Sequence, residues 1–182
     1  MQISLASVFS SLIDFVKHPR LKQLSDHFFE KPQKIFPYLL AIDFLLMIPL
    51  SGLIGLVGID EANHKVAEMF SDPLTLALMA ILAAPFFEEA LFRYPIGKFF
   101  NQNFRTIFWL FTIGFAAMHF FNFSGDVPIY FAPLLVLPQF VLGIVLGYIR
   151  VGWGFWYSVL FHALHNGILV GLALLGKALG GG

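Results

Sequence analysis

The chain has 182 residues, 58% of them hydrophobic, with 23 Phe, only 12% charged residues and a formal net charge of zero. Soluble domains carry about 25% charged residues, so the composition excludes an ordinary soluble domain, and without a basic block it gives no footing for nucleic acid. The absence of Cys excludes disulfides, thiol catalysis and thiolate metal sites.

The apolar residues come in long blocks rather than in the short alternating segments of a membrane barrel. The expected fold is all-α: a polytopic transmembrane helix bundle of about five spans, preceded by an amphipathic interfacial helix. The N-terminus has neither the basic start nor the small-residue cleavage site of a signal peptide. Residues 3–16 set Ile3, Leu5, Val8, Phe9, Leu12, Ile13 and Phe15 among Ser, Gln and Asp. That pattern suits a helix lying on the membrane. Lys17, Arg20, Lys22, Lys31 and Lys34 make residues 17–35 basic and water-facing, so 1–35 forms an N-terminal segment.

The first span is expected at about Phe36–Val57, interrupted by Asp43, and residues 59–72 read as a polar loop, which together give a unit 36–72. The membrane core, 73–176, follows. Its spans are about Pro73–Phe100, Phe104–Phe121, Val127–Ile149 and Trp153–Leu175, with a turn at 122–126 and a flexible tail at 177–182. Pro128, Pro133 and Pro138 are expected to start or bend the fourth span. Spans of roughly 20 residues match a hydrocarbon thickness of roughly 30 Å. Lys and Arg near the span ends fall mostly on the side of the N-terminus, which predicts a cytoplasmic N-terminus in a cell membrane. Trp153, Trp156 and Tyr157 would join the inner aromatic belt. The pairs Gly143/Gly147 and Gly167/Gly171 allow close helix approach within the bundle.

The second span carries Glu88-Glu89-Ala90-Leu91-Phe92-Arg93. One charge near a bilayer centre costs about 2.5–3.5 kcal/mol on insertion scales, so such a cluster points to a functional site facing the bundle interior. Glu89 and Arg93 are four apart and face each other on a helix, where pairing neutralises both. Glu88 projects about 100° away and is free to act as a general base. The third span holds Phe115-Ala-Ala-Met-His119, and the fifth His162-Ala-Leu-His165-Asn166. His162 and Asn166 share a face. Carboxylate, imidazole and amide groups from three spans could deprotonate a water and stabilise an oxyanion. By helix rise, Glu88 and His162 lie at similar depth, roughly 15 Å from their span ends, and His119 somewhat deeper at roughly 22 Å. A third helix that begins in the interface, or a tilt, would close that difference.

In order, Glu-Glu-x-x-x-Arg, Phe-x-x-x-His and His-x-x-x-Asn resemble the three motifs of the CAAX protease and bacteriocin-processing (Abi) family of intramembrane endopeptidases, over about residues 73–170. The resemblance implies a metal-independent glutamate-type endopeptidase acting on a peptide or membrane-associated protein. It implies that Glu88 and His119 activate the attacking water, that His162 and Asn166 hold the oxyanion, and that Glu89 and Arg93 support them. No cofactor is expected, and no nucleic-acid partner. Zinc on Glu88, His119, His162 and His165 is the alternative, although the His-Glu-x-x-His pattern is absent. A serine nucleophile at Ser158, a proton or ion pathway, and a non-catalytic self-immunity or scaffold role are the other readings. His165 is unexplained by the motifs: it could tune His162 or face a polar neighbour. Asp43 could cap or pair within the bundle.

Overall fold

The computed structural model describes residues 3–20, 31–56, 72–97, 103–123 and 127–180. The predicted basic segment, the polar loop, the 122–126 turn, the far end of the second span and the last two residues lie partly or wholly outside them. Among the described residues the regular elements are helices, four of them long and apolar enough to cross a membrane, or five if one bent pair counts as a single span.

Helix α1, Leu5–Lys17, opens on a capping box between Ser4 and Ser7. Its residues Val8, Leu12 and Phe15, three and four apart, are buried against the bundle. Phe15 meets Phe108 and Tyr148 edge-on, at 5.1 and 5.4 Å, and Ser11 Oγ lies 2.8 Å from the Tyr148 hydroxyl. Leu5, Phe9 and Ile13 remain exposed on another face. The amphipathic helix is therefore apolar on two faces, one docked on the bundle and one facing outward.

Helix α2, Pro32–Leu56, is a long span that buries Ile35, Phe36, Leu39, Ile42 and Asp43 and leaves Leu45, Ile48, Leu53 and Leu56 exposed. The second span, Pro73–Gly97, is not one regular helix. It runs as α3 (Pro73–Leu78), a π-helical turn (Met79–Ala83), α4 (Ala84–Phe92) and a final 3-10 turn. Asp72 caps α3 by accepting from Thr75 N and Oγ, and these bonds hold its carboxyl below the usual carboxylate range. The cap's contribution is in place above the ordinary Asp value of about 3.9 and is lost as pH falls through the lower folded value.

The third span is α5, Phe104–Met118, extended by the 3-10 turn His119–Asn122. The fourth differs from the single span expected at Val127–Ile149. A 3-10 turn (Ile129–Phe131) and α6 (Ala132–Leu135) meet α7 (Leu137–Trp153) at a 43° bend. Pro138 is the physical reason: it lacks the N–H that would bond the Leu134 carbonyl, and its ring crowds that turn. Helix α8, Phe155–Gly180, runs through Lys177, so the tail expected from 177 starts as helix. Gly154 alone links α7 to α8, with φ +93°, a backbone conformation that favours glycine.

Helix α7 lies at the centre, packed by α2, α5 and α8. Close approach rests on small residues. A Cβ at Gly147 would meet Phe108 Cε2 at 2.5 Å, and one at Gly143 would meet Phe115, Thr112 and Arg93 at 3.2–3.4 Å. Gly167 would make only ordinary contact with Ile81, and Gly171 none within 4 Å. Among the described residues the first glycine pair is the one at which a side chain would clash or crowd its neighbours. Gly147→Ala is expected to lower stability by about 1–3 kcal/mol through overpacking, read by thermal unfolding in detergent, with Gly171→Ala unchanged beside it.

Candidate active site

The acidic motif sits at the junction of α4 and α8. Glu89 is fully buried and Arg93 nearly so; Arg93 Nη1 lies 3.4 Å from Glu89 Oε1. The guanidinium also donates to the Gly143 carbonyl at 3.3 Å and stands 3.9 Å from the centre of the Phe115 ring. Glu89 does more than neutralise Arg93. It accepts from His162 Nδ1 at 3.1 Å and from Ser158 Oγ. A carboxylate on Nδ1 fixes the ring's orientation and turns Nε2 to its other neighbours.

Glu88 takes the other side of the helix and borders the interior. Its Oε2 lies 3.6 Å from His119 Nε2 and 3.7 Å from His162 Nε2. These separations exceed hydrogen-bond length, and buried Oε2 makes no hydrogen bond among the described residues. His119 Nδ1 is 2.8 Å from the Phe115 carbonyl, which can only accept, so Nδ1 carries a proton and Nε2 faces Glu88. Phe115 also packs on both rings, 4.7 Å from His119 and 5.8 Å from His162. The difference in depth anticipated for His119 does not keep the two apart: His119, on the 3-10 turn that follows α5, lies against Glu88.

A cavity of about 500 Å³ opens on these groups. Glu88, His119, His162, His165 and Asn166 border it, with Asn122 and Gln139, and the rest of its wall is apolar, including Met47, Leu76, Met79, Phe87 and Leu169. Asn166 has a second task. In the π-helical turn Ala84 N bonds Met79 O, so in that register the next donor, at Pro85, would serve Ala80 O. Proline has no N–H. Asn166 Nδ2 supplies it at 2.8 Å, leaving one amide N–H to spare. Asn166→Ala is therefore expected to cost about 1 kcal/mol of stability by leaving a partly buried carbonyl without its partner, a loss that thermal unfolding would separate from any loss of activity.

Two partners escaped sequence reasoning. Ser158 is buried behind Glu89 and does not border the cavity, so it orients a carboxylate and is not placed as a nucleophile. Its spacing of four from His162 was the available signal. His165 does not tune His162 by contact: its Nδ1 lies 2.6 Å from Asp43 Oδ2, and the Phe44 ring stacks on it at 5.0 Å. No group of three or more His, Asp or Glu side chains among the described residues adopts a metal-holding arrangement.

Fold and site define a polytopic membrane protein that gathers acid–base groups in an interior cavity. The family model described as type II CAAX prenyl endopeptidase Rce1-like matches residues 70–168, more than half of the chain, and the chain belongs to that family. Membership places it among CAAX-type intramembrane endopeptidases, a class of hydrolases that act on membrane-associated peptides. No curated protein and no solved structure matches the chain. The matched segment contains Glu88, His119, His162 and Asn166; α1 and α2 lie outside it.

Proposed function

We propose that the protein hydrolyses a peptide bond of a membrane-associated substrate with a water activated by Glu88 and His119. The observation that carries this reading is the convergence of Glu88 Oε2 on two imidazole Nε2 atoms at 3.6 and 3.7 Å, on the wall of the cavity. With His119 neutral in this reading, its Nε2 and the Glu88 oxygen are both acceptors, and water, with two O–H donors, is the complementary reactant. Glu88 takes one proton as the oxygen adds to the carbonyl carbon. His162 lies close enough to Glu88 to take that proton on Nε2, and the N–H so formed can donate to the developing oxyanion together with the spare N–H of Asn166. Glu89 and Arg93 hold His162 in place and keep the local charge balanced. The apolar wall supports a lipid-attached or apolar peptide substrate, and the family suggests a prenylated C-terminus. The basic residues favour a cytoplasmic N-terminus.

The reaction in this reading needs no metal. Cleavage of a farnesylated CAAX-type peptide by purified protein is expected to survive exhaustive chelation within about 2-fold. Activity that disappears with the chelator and returns with zinc would instead assign the Nε2 lone pairs to a metal ion.

A further inference from the structure

Asp43 and His165 form a second carboxylate–imidazole pair that the water-activating chemistry leaves unused. The pair joins α2 to α8, and both side chains are buried. His165 borders the same cavity as Glu88. Its Nδ1 is taken by Asp43, and its Nε2 makes no hydrogen bond among the described residues. Asp43 lies outside the segment matched to the family.

Charge decides what this ring presents. Glu89 has Arg93 as a compensating cation, so His162 can stay neutral with a bare Nε2. Asp43 has no ion-pair partner but His165 among the described residues, and its other oxygen, Oδ1, is buried without a hydrogen bond. A lone buried negative charge is strongly disfavoured. The pair has two electrically neutral forms: imidazolium with carboxylate, or imidazole accepting at Nδ1 from the carboxylic acid. Both place the proton on Nε2. The 2.6 Å separation is at the short, charge-assisted end of the range.

We propose that His165, held by Asp43, is the general acid that protonates the departing amine; this rests on the hydrolytic reading above. As the tetrahedral intermediate collapses, the C–N bond breaks, its electron pair goes to nitrogen, and nitrogen takes the Nε2 proton. The dyad is left one proton short and the Glu88–His162 pair one proton long. Transfer of that proton through cavity water restores both. His165 touches the reacting nitrogen and is a catalytic residue; Asp43 acts through it and is a positioning residue.

The test compares a farnesylated CAAX-type peptide with its analogue carrying an ester at the scissile bond, since an alkoxide leaves with far less need of protonation than an amide anion. His165→Gln is expected to lower kcat on the amide about 100-fold or more, with KM within about 3-fold and ester cleavage nearly unchanged. Asp43→Asn should give a smaller kcat loss of the same pattern, and Glu88→Gln should abolish cleavage of both probes. Wild-type amide cleavage by His165→Gln, or equal losses on amide and ester, overturns the proposal while leaving the Glu88 chemistry intact. Wild-type cleavage of neither probe, or Glu88→Gln that cleaves both, overturns the hydrolytic reading and the general acid with it. The ¹⁵N spectrum of His165 in bilayers gives an independent check without substrate: a protonated Nε2 is expected, and a bare Nε2 in the resting protein overturns the assignment.

Discussion

Glu88→Gln is expected to lower kcat for peptide cleavage by about 10³-fold or more, with the protein still folded. General acid–base catalysis contributes typically about 10²–10⁴-fold, and the amide can neither take the water's proton nor pass it on. The substitution is nearly isosteric, and Glu88 Oε2 makes no hydrogen bond among the described residues that the fold would lose. His119→Ala should fall by a similar factor, because His119 supplies the lone pair across 3.6 Å from the same oxygen. Steady-state cleavage of the farnesylated peptide, with unfolding temperature as the control, measures both. Full activity in either variant would sink the water-activating pair.

Arg93→Met should act on stability, lowering it by about 3–5 kcal/mol. Arg93 is buried, and it ties three elements together: Glu89 on its own helix, the Gly143 carbonyl on α7 and the Phe115 ring on α5. Removing the cation strands the Glu89 carboxylate in the interior, where breaking one half of a buried pair is worse than losing both. Glu89→Gln combined with Arg93→Met should therefore recover much of the loss, since no charge is left unpaired. Unfolding curves of the single and double variants in the same detergent decide this; a double variant as unstable as Arg93→Met alone would show that packing, and not charge, governs the site.

The separation of Glu88 from Glu89 illustrates what was readable. Helical spacing pairs Glu89 with Arg93 and turns Glu88 away, and the structure has that arrangement. Sequence spacing could not show that Glu89 also receives His162 and Ser158, because those contacts join residues about seventy positions apart. The bend near Pro138 was legible as a proline effect. The π-helical turn was not, since its register depends on Asn166 arriving from α8 to satisfy Ala80.

By itself the sequence determined the helical class, the approximate spans and the residue types able to do acid–base chemistry, because hydrophobic runs and helical periodicity are local properties of a chain in a membrane. The tertiary structure alone decided which groups share the cavity, which carboxylate holds which imidazole, and that Asp43 has no Lys or Arg beside it among the described residues. Those depend on helix crossing and on charges brought together from distant positions. On them rests the difference between His162, whose carboxylate has Arg93, and His165, whose carboxylate has, among the described residues, only the imidazole itself.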